Sequence, residues 1–183
     1  GVSGIMTTAG ESAQEKTFWR LWLGGLLLLA VMIAINPSLS NEVAPFGISD
    51  HQAAASAAKV NLIQQQWQAD GVLWLAQTSM AIDLVFIAIY GIGAATGGQM
   101  LRGHASPRVR RLGNVVLGAA VVFIVSDYSE TICQFIQLLE GQGTDSFAAL
   151  AAAARPIKSI AFMITLSSLP VALWLRRRAD RPS

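Results

Sequence analysis

The sequence has few of the residues from which most catalytic and metal centres are built. Its 183 residues include one cysteine, Cys133, and two histidines, His51 and His104. A single cysteine excludes an internal disulfide and a paired-cysteine redox centre. Both histidines lie outside the long apolar runs, which argues against a membrane-embedded haem or multi-histidine metal site. We therefore expect no metal and no cofactor.

Motifs for nucleotide binding are lacking as well. The pattern GxxxxGK[ST] does not occur, and the glycine-rich segment 91–98 has no strand before it, which a dinucleotide-binding loop requires. A basic stretch without acids follows, with Arg102, Arg108, Arg110 and Arg111. Because this stretch separates two apolar runs, the positive-inside rule explains it without nucleic acid. The sequence therefore predicts no nucleic-acid partner.

Charge is scarce, and long hydrophobic runs take its place. Only 13% of the residues are charged, against about a quarter in soluble domains. The hydrophobic share is 53% and the mean hydropathy is +0.49. Four apolar runs are long enough to span a bilayer, at about 18–35, 72–95, 114–138 and 156–175. The sequence predicts an all-α, polytopic membrane protein with four transmembrane helices in an antiparallel bundle.

Basic residues are distributed unevenly between the two sides of the predicted membrane domain, 18–176. Of the 13 lysines and arginines, all but Lys59, Arg155 and Lys158 fall on one side. That side carries the N-terminal segment 1–17 and the basic tail 177–183. By the positive-inside rule, both termini are expected in the cytoplasm. The expected membrane is a bacterial inner membrane.

Between the first two spans, the sequence predicts a helix outside the membrane. Apolar residues recur there at helical spacing, at Ala53, Ala57, Val60, Ile63 and Trp67. A capping box that starts at Ser49 is expected to open this outer helix of about 50–69. It is predicted to pack on the ends of the spans, and an interfacial or partner-binding helix is the alternative. A second extension, an alanine-rich helix over 144–154, is expected before Pro156 begins the fourth span.

Ionisable residues inside the spans are the main functional signal. Asp83 lies near the middle of the second span, and Asp127 and Glu130 lie in the third. Acids at such a depth are costly and are expected to face protein rather than lipid. Glu130, Gln134 and Gln137 continue from Asp127 at helical spacing, which predicts one polar stripe. We expect the two aspartates to face each other at a shared depth and to share a proton.

Tyr90 and Lys158 complete the candidate set of ligand- or ion-binding residues. Tyr90 follows Asp83 by seven positions and is therefore predicted on the same helix face. Lys158 lies about 10 Å from the centre of its span, at 1.5 Å per residue. From there its side chain is expected to reach Glu130 or Gln134. No basic residue is then expected at the depth of the two aspartates.

Three interpretations of this polar centre remain open. The acids are neutral and hold the helices together by hydrogen bonds, they bind a ligand or a transported proton or cation, or they act in acid–base catalysis. We favour a non-enzymatic membrane protein that binds a proton, a cation or a small amphiphile. The alternatives are an accessory subunit of a larger membrane complex and a membrane enzyme that uses its carboxyl groups. Besides the bilayer, the expected partners are further copies of the chain or the other subunits of such a complex.

Overall fold

The computed structural model describes the backbone of residues 2–181 and the side chains of residues 13–181. Every regular element in this part of the chain is helical, which confirms the predicted all-α class. The α-helices are α1 (Val2–Ile35), α2 (Ile48–Gln52), α3 (Ala57–Ala69), α4 (Leu73–Arg102), α5 (Pro107–Glu140) and α6 (Asp145–Ala179). A 3-10 turn, Asn36–Leu39, follows α1. Gly1, Pro182 and Ser183, which belong to the predicted terminal segments, lie outside the described residues.

Four helices, α1, α4, α5 and α6, are long and apolar enough to cross a membrane, and they mark a multi-pass membrane protein. They extend beyond the predicted spans. The second span was expected to end at 95, but α4 continues to Arg102, and α5 begins at Pro107 instead of 114. Hydropathy detects only the apolar part of a helix, whereas the backbone hydrogen bonds continue into its polar ends. Pro107 suits the first turn because its missing N–H would have no partner there.

The predicted division at Pro156 is wrong. The alanine-rich segment and the fourth span form one helix, α6, with both Pro156 and Pro170 inside it. A proline removes one backbone hydrogen bond, but alanine has the highest helix propensity and carries the helix up to Pro156. Packing of α6 along α5 supports the rest of the helix.

The single outer helix predicted over 50–69 is also wrong, because Ala55 divides it into α2 and α3. The backbone of Ala55 is left-handed, with φ of 61°, and cannot continue a helix. Ser56 then caps α3, because its side chain accepts a hydrogen bond from the Lys59 amide at 3.3 Å. Ser49 lies inside α2 and forms no capping box.

Residues 36–69, which we call the cap, cover one end of the four long helices. The predicted apolar stripe is buried in part: Val60, Ile63 and Trp67 are fully inaccessible, whereas Ala57 is half-buried and Ala53 is exposed. Ile63 and Trp67 pack against Leu39 and against residues near the ends of α4 and α5, namely Ala76, Met80 and Leu138. The Trp67 indole donates to the Leu39 carbonyl at 2.9 Å. The cap therefore has an apolar core of its own that includes the ends of the long helices.

Hydrogen bonds attach the cap to the connection between α5 and α6. The Asn61 side chain accepts from the Gly143 amide at 2.6 Å. The Ala57 amide, at the start of α3, donates to Asp145 Oδ1 at 2.7 Å. Gly141 ends α5 with a φ of 71°, as its position after Glu140 predicts. The cap thus meets α1 and α5 at their C-terminal ends and α4 and α6 at their N-terminal ends.

The long helices pack in the order α1, α4, α5, α6, and within the described residues α1 and α6 have few contacts with each other. Close approach of α1 to α4 depends on the GxxxG pair Gly93 and Gly97. A Cβ atom at Gly93 would lie 2.8 Å from the Trp22 backbone nitrogen, which leaves room only for glycine. Far from the cap, Arg176 of α6 contacts Glu15 of α1 at 2.7 Å. The two helices are therefore joined at one end and separate toward the cap.

Candidate functional site

Five side chains from three helices form one buried cluster near the middle of the long helices. Lys158 Nζ lies 2.7 Å from Glu130 Oε1 and 3.3 Å from Asp127 Oδ1. The Thr131 hydroxyl lies 2.9 Å from Asp83 Oδ2 and 3.2 Å from Asp127 Oδ1. We call these five residues the acid cluster. Three carboxyl groups thus share one ammonium group and one hydroxyl.

The helical spacing of α5 explains why the cluster forms. Asp127, Glu130 and Thr131 lie three and four positions apart and therefore project from one face of α5. The predicted contact of Lys158 with Glu130 is confirmed. The expectation that no basic residue lies at the depth of the aspartates is wrong, because Lys158 also contacts Asp127. The prediction placed Lys158 at the beginning of a span from 156, whereas it lies well inside α6, which begins at Asp145.

A cavity of about 440 Å³ borders this cluster. Asp83, Asp127 and Lys158 form its polar wall together with Ser79 of α4 and Ser159 of α6. The cap contributes three further polar side chains, those of Asn36, Ser49 and Gln52. Glu130 lies behind Lys158 and does not reach the cavity. Of the six predicted site residues, three therefore line the cavity, and Glu130 supports them through Lys158.

The remaining walls of the cavity are apolar and come from both sides of the gap between α1 and α6. The α1 side consists of Leu29, Met32 and Ile33, and the α6 side includes Phe162 and Met163. The cavity occupies the region where these two helices separate. It can therefore hold an apolar group beside the polar wall.

Aromatic side chains close the cavity on the side away from the cap. Phe86, Tyr90, Phe123 and Phe162 pack together, with ring centroids 5.1 to 6.3 Å apart. Tyr90, predicted as a candidate residue on the same face of α4 as Asp83, does not line the cavity. Seven residues of helix rise about 10 Å, so the phenol lies beyond the aromatic rings. The Tyr90 hydroxyl is instead hydrogen-bonded to the Thr165 hydroxyl at 2.7 Å.

Gln134 is not part of the cavity either, although it continues the polar stripe. Its amide nitrogen donates to the His51 carbonyl in the cap, and its oxygen accepts from Gln137 Nε2 at 2.7 Å. Gln137 in turn accepts from the Thr144 amide at 2.9 Å. Gln134 and Gln137, the half of the stripe nearer the cap, therefore form hydrogen bonds with the backbone of the cap and of the connection between α5 and α6. Only the half around Asp127 faces the cavity.

His51 is the titratable residue buried within the cap. It stacks on Trp67 with 5.3 Å between ring centroids, and its Nε2 lies 3.0 Å from Gln64 Nε2. Burial removes the imidazole from water and lowers the pKa of His51 to about 3. The ring is therefore neutral at physiological pH. Its neighbour Gln52 lines the cavity, so this packing positions one wall of the site.

Among residues 13–181, whose side chains are described, no group of three histidine, cysteine or acidic side chains is arranged to hold a metal. Comparison with protein-family models, with curated proteins and with solved structures finds no match. The chemistry of the site therefore follows from its own residues. It offers an excess of carboxyl groups beside an apolar surface.

Sequence reasoning missed the polar residues that the cap contributes. Asn36, Ser49 and Gln52 have no signal in the sequence, because their position over the cavity depends on the fold of the cap. Thr131 had a detectable signal. It follows Asp127 by four positions, the spacing at which two side chains of a helix meet.

Proposed function

We propose that the chain is a bacterial inner-membrane protein whose cavity binds a small amphiphile. In this proposal the four long helices span the membrane as an antiparallel bundle, both termini lie in the cytoplasm, and the cap lies on the outer side. The uneven distribution of lysine and arginine supports this orientation. The acid cluster then lies inside the membrane, shielded from lipid by the surrounding helices.

One observation carries the binding function: two carboxyl groups, Asp83 and Asp127, lie in a cavity that also has an apolar wall. The volume of about 440 Å³ is in the range of about 300–1,000 Å³ typical of small-molecule sites. Residues that only hold helices together need no such space beside them. Asp83 and Asp127 reach the cavity, which favours ligand binding over a purely structural role. A polar head at these carboxyl groups and an apolar tail between α1 and α6 would use both parts of the site.

Purification from native membranes in a mild detergent, followed by native mass spectrometry, tests this function. We expect the wild-type protein to retain a bound small amphiphile. Ser79→Phe should fill the cavity and lose the ligand, whereas Ser167→Phe, at an exposed position of α6, should keep it. Retention of the same molecule by Ser79→Phe would contradict the proposal. Purification of stoichiometric protein partners without a bound amphiphile would instead support the accessory-subunit alternative.

A further inference from the structure

We propose that the amphiphile is a lipophilic amine bound as its ammonium cation by Asp83, and that it reaches the cavity sideways between α1 and α6. This inference rests on the proposed function and adds the chemical class of the ligand, the binding group and the path. It follows from the charges and hydrogen bonds of the acid cluster and from the openings of the cavity.

The acid cluster contains more negative than positive groups. Three acids, Asp83, Asp127 and Glu130, surround Lys158 as the single cation. The cap side chains at the cavity, Asn36 among them, are uncharged, and α1 contributes only apolar residues there. Full ionisation would leave two negative charges without a counter-charge in a poorly solvated site. The cluster therefore requires protons or a further cation.

The hydrogen bonds assign one of these protons or cations to Asp83. Thr131 has a single hydroxyl hydrogen but contacts carboxyl oxygens of both Asp83 and Asp127. One hydrogen cannot serve two ionised carboxylates fully, so one contact needs a proton on the acid. Asp127 already accepts from Lys158, whereas Asp83 has no cationic neighbour in hydrogen-bonding contact among the described residues. Asp83 is thus the acid that either holds a proton or binds a cation.

The second carboxyl oxygen of Asp83 is available for that cation. Oδ2 contacts the Thr131 hydroxyl, and Oδ1 has no hydrogen-bond partner within residues 13–181. Asp83 also lines the cavity directly. An ammonium group is a compact donor of hydrogen bonds and matches a single free carboxylate oxygen.

The openings of the cavity favour a sideways path. The cap covers one end, and the aromatic group around Phe86 and Phe123 closes the other. Between α1 and α6 the walls are apolar and exposed, with Ile33 at 64% and Met163 at 60% exposure. An apolar chain crosses such a surface without losing favourable contacts with lipid. The ammonium head then meets Asp83 at the inner end of the gap.

Binding is an exchange without covalent chemistry. The protonated Asp83 carboxyl releases its proton to water, and the ammonium group of the ligand takes its place beside the carboxylate. The charge of the cluster is the same before and after. One proton is therefore released for each amine that binds, and a neutral amphiphile of equal length releases none.

Titration calorimetry of the detergent-solubilised protein with dodecylamine and dodecanol tests the ligand class. Measurement in two buffers of different ionisation enthalpy, at a pH where the amine is charged, counts the protons released. We expect one proton with dodecylamine and none with dodecanol. Asp83→Asn should weaken dodecylamine binding by at least about tenfold and dodecanol binding by much less, since only the amine forms a charged hydrogen bond with Asp83. Glu42→Gln, which changes an exposed acid, should behave like the wild type.

The outcomes separate this inference from the function on which it rests. Equal binding of amine and alcohol, or amine binding that Asp83→Asn does not change, overturns the inference while the cavity remains an amphiphile site. Failure of both probes to bind, together with no bound molecule in mass spectrometry, overturns the proposed function itself.

Association rates test the path. Met163→Trp places a bulky ring at the gap between α1 and α6 and should slow association of dodecylamine several-fold. Val125→Trp changes an exposed residue of α5 away from the cavity and serves as the control. Equal association rates for both variants and the wild type would exclude access through this gap.

Discussion

At the residue scale, Lys158 is the counter-charge on which the acid cluster depends. Its side chain is 17% exposed, and Glu130 and Asp127 are almost fully buried. We expect Lys158→Met to lower the free energy of unfolding by about 3 kcal/mol, because it leaves buried acids unpaired. Adding Glu130→Gln should recover part of this loss. Thermal and chemical unfolding in detergent measure both effects.

Lys59→Met provides the control for this double-mutant cycle, because Lys59 is exposed and should contribute little to stability. If the losses from Lys158→Met and Glu130→Gln were simply additive, the two side chains would not interact. That result would contradict the contact of 2.7 Å between them.

The buried imidazole of His51 predicts how stability depends on pH. Its pKa is about 3 in the folded protein, against 6.5 for a histidine exposed to water, so the unfolded chain binds the extra proton between these values. This contribution is complete above pH 6.5 and is lost as the pH falls toward 3. At about pH 5 the loss is about 2 kcal/mol. The residues in contact with the ring, Gln64 and Trp67, carry no charge.

Thermal unfolding between about pH 7.5 and about pH 5 measures this effect. His51→Phe keeps a ring on Trp67 but cannot be protonated, so it should lose less stability than the wild type over this range. An identical decrease in both proteins would show that groups other than His51 cause the pH dependence.

The sequence predicted most of the site but not its limits. Acids inside apolar runs identified Asp83, Asp127 and Glu130 because such residues are rare and must be sheltered. Helical spacing could not show where the cavity ends, so Tyr90 and Gln134 were included as well. Their actual partners, Thr165 and the His51 carbonyl, come from other elements and depend on tertiary packing.

At the element scale, Ala55 determines the shape of the cap. An alanine in the left-handed region is strained by about 1–2 kcal/mol, whereas glycine is not. We expect Ala55→Gly to raise the free energy of unfolding by about 1 kcal/mol, measured by thermal unfolding. Ala58→Gly, at a position inside α3, should lower it by about 0.5–1 kcal/mol. A decrease in both variants would instead support one continuous helix.

Helix ends were the least predictable elements. The apolar runs identified the four long helices, but hydropathy does not report how far backbone hydrogen bonding continues. Arg102 and Pro107 therefore belong to helices that were expected to end earlier or begin later. Proline at 156 was expected to start a helix, although alanines before it had already formed one.

At the scale of the whole molecule, orientation is a testable consequence of the proposed function. A reporter enzyme active only outside the cytoplasm should be active when fused after Glu42, in the cap. It should be inactive when fused after Ser106, between α4 and α5. The reason is that arginine and lysine are concentrated on the side of Ser106. The reverse pattern of activity would overturn the proposed topology.

The bonds that hold the cap also determine when it can be completed during protein synthesis. They join His51 to Gln134, Asn61 to Gly143 and Ala57 to Asp145, across 82 to 88 residues of chain. A ribosome that has made only α1 to α4 has not yet made any of these partners. The cap is therefore synthesised early, but these three hydrogen bonds form late. Until they form, the cap is more susceptible to cleavage by a protease at the membrane.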